Sequence, residues 1–134
     1  METDLILSAI NELHQKADQA LESKNVTAYT AMFDDGLSFT PFEKPTINKR
    51  DFTIDLKKYF SGIKEIQTSR YRIKSSIEDD IFIEKIARKS VILKPNLLIF
   101  SKKQTIQTEE IYYWKNIKGE WKVIALEIVL EEKY

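Results

Sequence analysis

The chain has no cysteine, which excludes disulfides, thiol nucleophiles and Cys-ligated metals. Its single histidine, His14, does not make a zinc site on its own, so no metal and no cofactor are expected. A surplus of one charge is also missing, because 21 basic residues balance 21 acidic ones. No net field draws such a chain to nucleic acid or to an anionic membrane, and neither is expected as a partner. No apolar run is long enough to cross a bilayer. Met1 to Leu7 lacks the basic start and long apolar stretch of a signal peptide, so a cytoplasmic protein is the default expectation. Glycine and proline are scarce, with three of each.

What is present is a sequence that is 43% hydrophobic and 31% charged, the balance of a folded domain rather than a disordered tail. A length of 134 residues suits one domain spanning 1–134 and is short for two. Thr3 is placed to cap a first helix whose apolar positions, Leu5, Ile6, Ala9, Ile10, Leu13, Ala17, Ala20 and Leu21, recur at steps of three and four. Asn25 or Thr27 opens a second helix with Ala28, Tyr29, Met32 and Phe33 inward, and Gly36 reads as its left-handed stop. Beside that glycine, Asp34 and Asp35 read as turn chemistry. A short β-rich run, Leu37 to Phe42, is closed by prolines. Asn48 caps a third helix reaching about Phe60, with Gly62 at its end.

Everything after Gly62 reads as sheet: Ile66 to Ile77, Ile81 to Leu93, Thr105 to Ile117 and Glu120 to Leu130. The expected turns are Glu78-Asp79-Asp80, Lys94-Pro95-Asn96 and Lys118-Gly119, and Leu97 to Lys103 fits either a strand start or an apolar loop. Helices first and antiparallel strands afterwards define an α+β fold, with N-terminal helices packed on one face of the sheet.

The last strand is apolar at both parities. One parity collects Trp121, Val123, Ala125, Glu127 and Val129, and the other Ile124, Leu126, Ile128 and Leu130. A strand of this kind floors a pocket on one side and meets a second layer or subunit on the other. The first parity is assigned to the pocket. Truncating Trp121 is then expected to be severely destabilising. The second parity is assigned to a homodimer interface on the outer sheet face, because so apolar a face is too large to leave in water.

The order of these parts resembles the NTF2-like superfamily. The opening is a long helix, the segment Asn25-Val26-Thr27-Ala28-Tyr29-Thr30-Ala31-Met32-Phe33-Asp34-Asp35, and a short strand ending Phe39-Thr40-Pro41. The closing hairpin pairs Tyr112-Tyr113-Trp114-Lys115 with Gly119-Glu120-Trp121-Lys122-Val123. The resemblance implies a strongly bent, cystatin-like cone whose mouth is closed by the helices, a deep apolar pocket, and frequent dimerisation through the outer face. It covers isomerases, dehydratases, cyclases and transport factors, so it carries little functional information.

Measured against that resemblance, the catalytic positions are vacated. The steroid-isomerase branch places an acid where this chain has Thr40, and its helix tyrosine falls near Ala17. The dehydratase and SnoaL-like histidines of the last strand fall at Ala125 and Glu127. Glu127 is left as the candidate general base, since burial in an apolar cavity raises a carboxyl toward neutrality. The alternative is a structural ion pair with Arg70, Arg72 or Arg88, or a side chain reaching solvent at a cone edge. His14, at the border of the helix stripe, reads as a border or surface residue.

Tyr29, Phe33, Phe39, Tyr59, Tyr113, Trp121 and Ala125 are the expected pocket residues. The leading expectation is a protein that binds an apolar small molecule in the cone without an intact known catalytic set. The alternatives are an isomerase- or dehydratase-type enzyme using Glu127 with Tyr113 or Tyr29 as donor, and a dimeric interaction module whose cavity is filled.

Overall fold

A computed structural model describes residues 2–96 and 100–134. The helix α1 (Glu2–Glu22) is followed by α2 (Val26–Thr30), β1 (Phe33–Thr40), β2 (Ile47–Asn48) and α3 (Lys49–Ser61). Four long strands complete the described chain: β3 (Glu65–Glu78), β4 (Ile81–Asn96), β5 (Phe100–Ile117) and β6 (Glu120–Lys133). They form a six-stranded sheet in the order β2-β1-β6-β5-β4-β3. The architecture is α+β, with the helices on one face. The sheet is mostly antiparallel but mixed, because β1 runs parallel to β6. No helix among the described residues is long and apolar enough to cross a membrane.

Local chemistry explains most boundaries. Asn25 Oδ1 accepts from the Ala28 N–H and caps α2, and Asn48 Oδ1 accepts from the Asp51 N–H and caps α3. The apolar stripe of α3, Phe52, Leu56 and Phe60, turns inward at every fourth residue. Lys118 and Gly119 both take positive φ, 54° and 88°, the pairing that a two-residue hairpin with native twist requires.

Several boundaries differ from the sequence reading. Thr3 lies inside the first turn of α1 rather than at its cap, and Leu5 points to solvent. The second helix stops at Thr30, so Phe33 opens β1 instead of closing a helix. Gly36 is no left-handed stop: it lies within β1, where its N–H bonds to Asp34 Oδ2 at 2.9 Å. The pairing of β1 with β6 shifts register across this stretch. The segment Lys94-Pro95-Asn96 is strand, pairing with Lys102, Ser101 and Phe100. Residues 97–99 lie outside the described range, so the reading of Leu97 to Lys103 is answered only from residue 100 onward, as strand.

The largest correction concerns β6. Tyr113 pairs with Ala125 and Trp114 with Val123, so Ile124 is an extra residue, a β-bulge. A bulge reverses which parity faces inward. Val123 is therefore buried on the helix side, and beyond the bulge Leu126 and Ile128 take that side while Ala125 and Glu127 turn outward. A second shift between Glu109 and Glu110 leaves Leu130 opposite Glu109, on the outer face. The supposed interface row of Ile124, Leu126, Ile128 and Leu130 is thus split, its two central members lying inside. Trp121 is half-buried against the core rather than at its centre.

Candidate functional site

Cross-strand partners share a face, so the register of the sheet assembles the interior row by row. Phe82, Trp114 and Val123 form one row, and Glu84, Tyr112, Leu126 and Phe39 the next. Ile86, Glu110 and Ile128 follow, then Arg88 with Thr108, and Ser90 with Ile106. Charged residues thus occupy inward positions on β4 and β5. Opposite them, α1 presents Asn11, His14, Asp18 and Glu22 at helical spacing, one polar stripe facing the sheet.

The two surfaces meet in two buried clusters. In the first, Glu84 Oε2 accepts from Trp114 Nε1 and His14 Nε2, both at 2.6 Å. Its Oε1 accepts from Arg72 Nε at 2.9 Å, and Arg72 Nη2 donates to Asn11 at 2.7 Å. His14 is fully buried, at 0% exposure, which corrects its expected border position. Its ring stands edge-on between Tyr112 and Trp114, and Nδ1 has no hydrogen-bond partner among the described residues. Burial raises the Glu84 carboxyl, but hydrogen bonds and charge from His14 and Arg72 more than reverse this and hold it below the usual carboxylate range. The ionised acid requires His14 to carry its proton on Nε2.

The second cluster is centred on Arg88. Its Nε donates to Glu110 Oε1 at 3.2 Å, and its Nη1 donates to Asp18 Oδ1 at 2.9 Å and to Thr68 Oγ1 at 2.8 Å. Asp18 Oδ2 also pairs with Arg70 Nε at 2.9 Å. Glu110 accepts further from Tyr112 Oη and Thr108 Oγ1, each at 2.7 Å. Burial disfavours the charge on Arg88, yet Glu110, Tyr112, Tyr29 and Asp18 around it together outweigh that and raise the guanidinium above its ordinary range. Burial, with Glu110 alongside, likewise raises the Tyr112 phenol.

Among the described residues, the second cluster borders a cavity. It has a volume of about 180 Å³. Leu21, Phe39, Phe52, Leu56, Leu126 and Ile128 make apolar wall, and Arg88, Ser90, Thr108, Glu110, Tyr112 and Tyr29 make the polar side. Tyr59 is partly exposed at its edge. Of the residues expected in a pocket, the structure brings Tyr29, Phe39 and Tyr59 together there. Phe33 is a neighbour in the aromatic core, stacked edge-on against Tyr29 and Phe52. Tyr113 and Ala125 pair with each other on the outer face, and Trp121 lines grooves beside α1.

Glu127 lies on the outer face as well, between Ile111 and Thr40, half-buried and without an ion pair among the described residues. It meets neither the cavity nor Arg70, Arg72 or Arg88, because the Ile124 bulge turned it away. The groups missed by sequence reasoning are Glu84 and Glu110, while Arg88 is named there only as a partner for Glu127. Their signal was present: on β4 they share parity with Phe82 and Ile86, and on β5 with Tyr112 and Trp114.

No protein-family model matches this sequence, and no curated protein matches it either. Solved structures do match. A conserved protein from Planctomyces limnophilus superposes with a TM-score of 0.84 at 11% identity, covering 100% of both chains. A protein of the NTF2-like family from Streptomyces avermitilis gives 0.73 at 12% identity, over 95% of this chain and 99% of the other. A ketosteroid isomerase-like protein from Erwinia carotovora gives 0.70 at 12% identity, over 92% and 94%. The chain has the NTF2-like, cystatin-like fold. At such identities the likeness extends to the fold alone.

Proposed function

We propose that this protein binds an apolar small molecule inside the cone. The observation that carries the reading is the cavity itself: an apolar wall meets a polar side whose groups are held by one another. Preformed hollows of this kind, with few convergent polar groups, are where small molecules bind. The alternative of an isomerase or dehydratase has weaker support. Its candidate base, Glu127, sits on the far face of the sheet, and both oxygens of Glu110 are occupied by donors from Arg88, Tyr112 and Thr108. The reading of a filled cavity is opposed by the open volume.

The test is thermal unfolding with and without toluene. A ligand that binds the folded state alone raises the melting temperature. Toluene is expected to raise it in the parent and to do nothing in Ile128→Trp, where the indole fills the cavity. Equal responses in the two proteins would overturn the reading.

The outer face is assigned to a second copy of the chain. Ile83, Tyr113 and Ala125 form one row across it, and Ile111 stands beside Glu127 in the next. These apolar side chains are half-buried within one chain, and a twofold-related copy would cover the rest. Sedimentation is expected to give a dimer at micromolar concentration that Tyr113→Asp dissociates; a monomeric parent would refute it.

A further inference from the structure

The charges at the cavity, Arg88 and Glu110, and those behind it are matched in number. Arg88 and Arg70 stand against Glu110 and Asp18, and Asp18 bridges the two arginines. Arg88 is therefore no free cation awaiting an anion. An anionic ligand would approach two carboxylates already engaged with that guanidinium, and would lose its own hydration without gaining an uncompensated partner.

Hydrogen bonding is not equally closed. Tyr112 spends its only proton on Glu110, and Thr108 spends its proton on the same carboxylate. Arg88 commits Nε and Nη1, which leaves Nη2 over. Tyr29 is the exception among the tyrosines of the cavity's polar side. Its hydroxyl makes no hydrogen bond to the protein among the described residues, though it borders the cavity. Burial, partly opposed by Arg88 and aided by Glu110, raises its phenol above the ordinary range, so the proton stays in place to be donated. A buried polar group is normally paired, and an open donor beside a hollow defines where a ligand's acceptor belongs.

Size narrows the class further. Sites for drug-sized ligands measure roughly 300–1,000 Å³, whereas an apolar cavity of about 150 Å³ takes a single benzene ring. At about 180 Å³ this one fits a single ring with a small substituent.

Building on the ligand-binding reading above, we infer that the ligand is an uncharged, single-ring molecule carrying one oxygen acceptor, which the Tyr29 hydroxyl receives beside Arg88 while the ring lies against Phe39, Phe52, Leu126 and Ile128. The class is that of small aryl ketones and aldehydes. Polycyclic molecules are excluded by volume and carboxylates by the matched charges.

The experiment compares four probes of graded chemistry by calorimetric titration: acetophenone, ethylbenzene, benzoate and 2-acetylnaphthalene. Acetophenone is expected to bind about three- to tenfold more tightly than ethylbenzene, the worth of one hydrogen bond of ordinary net strength. Benzoate and 2-acetylnaphthalene are each expected to bind at least tenfold more weakly than acetophenone. Tyr29→Phe should bind ethylbenzene as the parent does and lose the preference for acetophenone. Should that variant be misfolded by circular dichroism, the parent's own ketone-to-hydrocarbon ratio decides alone. Benzoate matching acetophenone, or the ketone preference surviving in folded Tyr29→Phe, overturns this inference but leaves small-molecule binding standing. Binding by none of the four, together with an unchanged melting temperature in toluene, overturns both.

Discussion

The two polar clusters under α1 are built from the same parts and differ in what surrounds them. In each, a strand carboxylate holds an arginine and an aromatic donor, and a polar residue of α1 completes the set. Glu84 is buried, at 1% exposure, with His14, Trp114 and Tyr112 packed against one another around it. Glu110 and Arg88 border an open hollow. The comparison teaches that buried charge in this molecule serves two ends. A sealed cluster fastens the helix to the sheet, where any unpaired member is costly. An open cluster can exchange a partner for water or ligand, so it tolerates change and shapes a binding site.

The sharpest way to break this contrast is Glu84→Gln. It leaves the buried His14, and the partly exposed Arg72, facing a neutral amide, and breaking a fully buried ion pair costs about 3–5 kcal/mol, the upper bound here. For a domain whose whole stability is on the order of 5–15 kcal/mol, that is a large share. Urea denaturation is the measurement, and a loss under about 1 kcal/mol would mean that water enters the cluster. At the open cluster, Thr108→Val removes one donor from Glu110 beside the hollow. The expected loss is smaller, about 1 kcal/mol; a loss equal to that of Glu84→Gln would erase the distinction.

Acidity tests the same contrast by another route. The folded-state Glu84 carboxyl titrates below its unfolded value, so its contribution is fully present above the ordinary carboxylate range and disappears as pH falls through the lowered folded value. Stability measured from neutral pH down into that acidic window should therefore fall more steeply in the parent than in Glu84→Gln. Identical slopes would mean that Glu84 carries no such linkage. The smallest effect is expected away from both clusters: Glu127→Gln should change stability by no more than about 0.5 kcal/mol, as for an ordinary surface substitution. A larger loss would reveal a partner on the outer face, of the kind a second copy supplies.

How legible the molecule was depends on the range of the interaction concerned. The caps at Asn25 and Asn48, the four long strands and the helices-then-sheet order were readable, because each rests on neighbours within a few residues. The end of the second helix was not, since Phe33 is taken into a parallel pairing with Val123, far along the chain. The site was half-legible. Tyr29, Phe39 and Tyr59 were recognisable as apolar rings near converging elements, whereas Glu127 was favoured only because β6 was read as an unbroken alternation.

The sequence by itself determined the elements, their order and the wish of β6 to be covered on both sides, because helical and strand periodicities and side-chain capping are local properties. Tertiary structure decided which side of β6 faces inward. A single extra residue, Ile124, reverses the alternation, and nothing in a lone strand marks it; the bulge exists only as a mismatch with the partner strand β5. The same holds for the charges. Arg88, Glu110 and Asp18 are ordinary surface residue types one at a time, and Arg88 and Glu110 came to line a cavity only when pairing brought opposite charges from β4, β5 and α1 within hydrogen-bond distance, where mutual compensation offsets the cost of burying them.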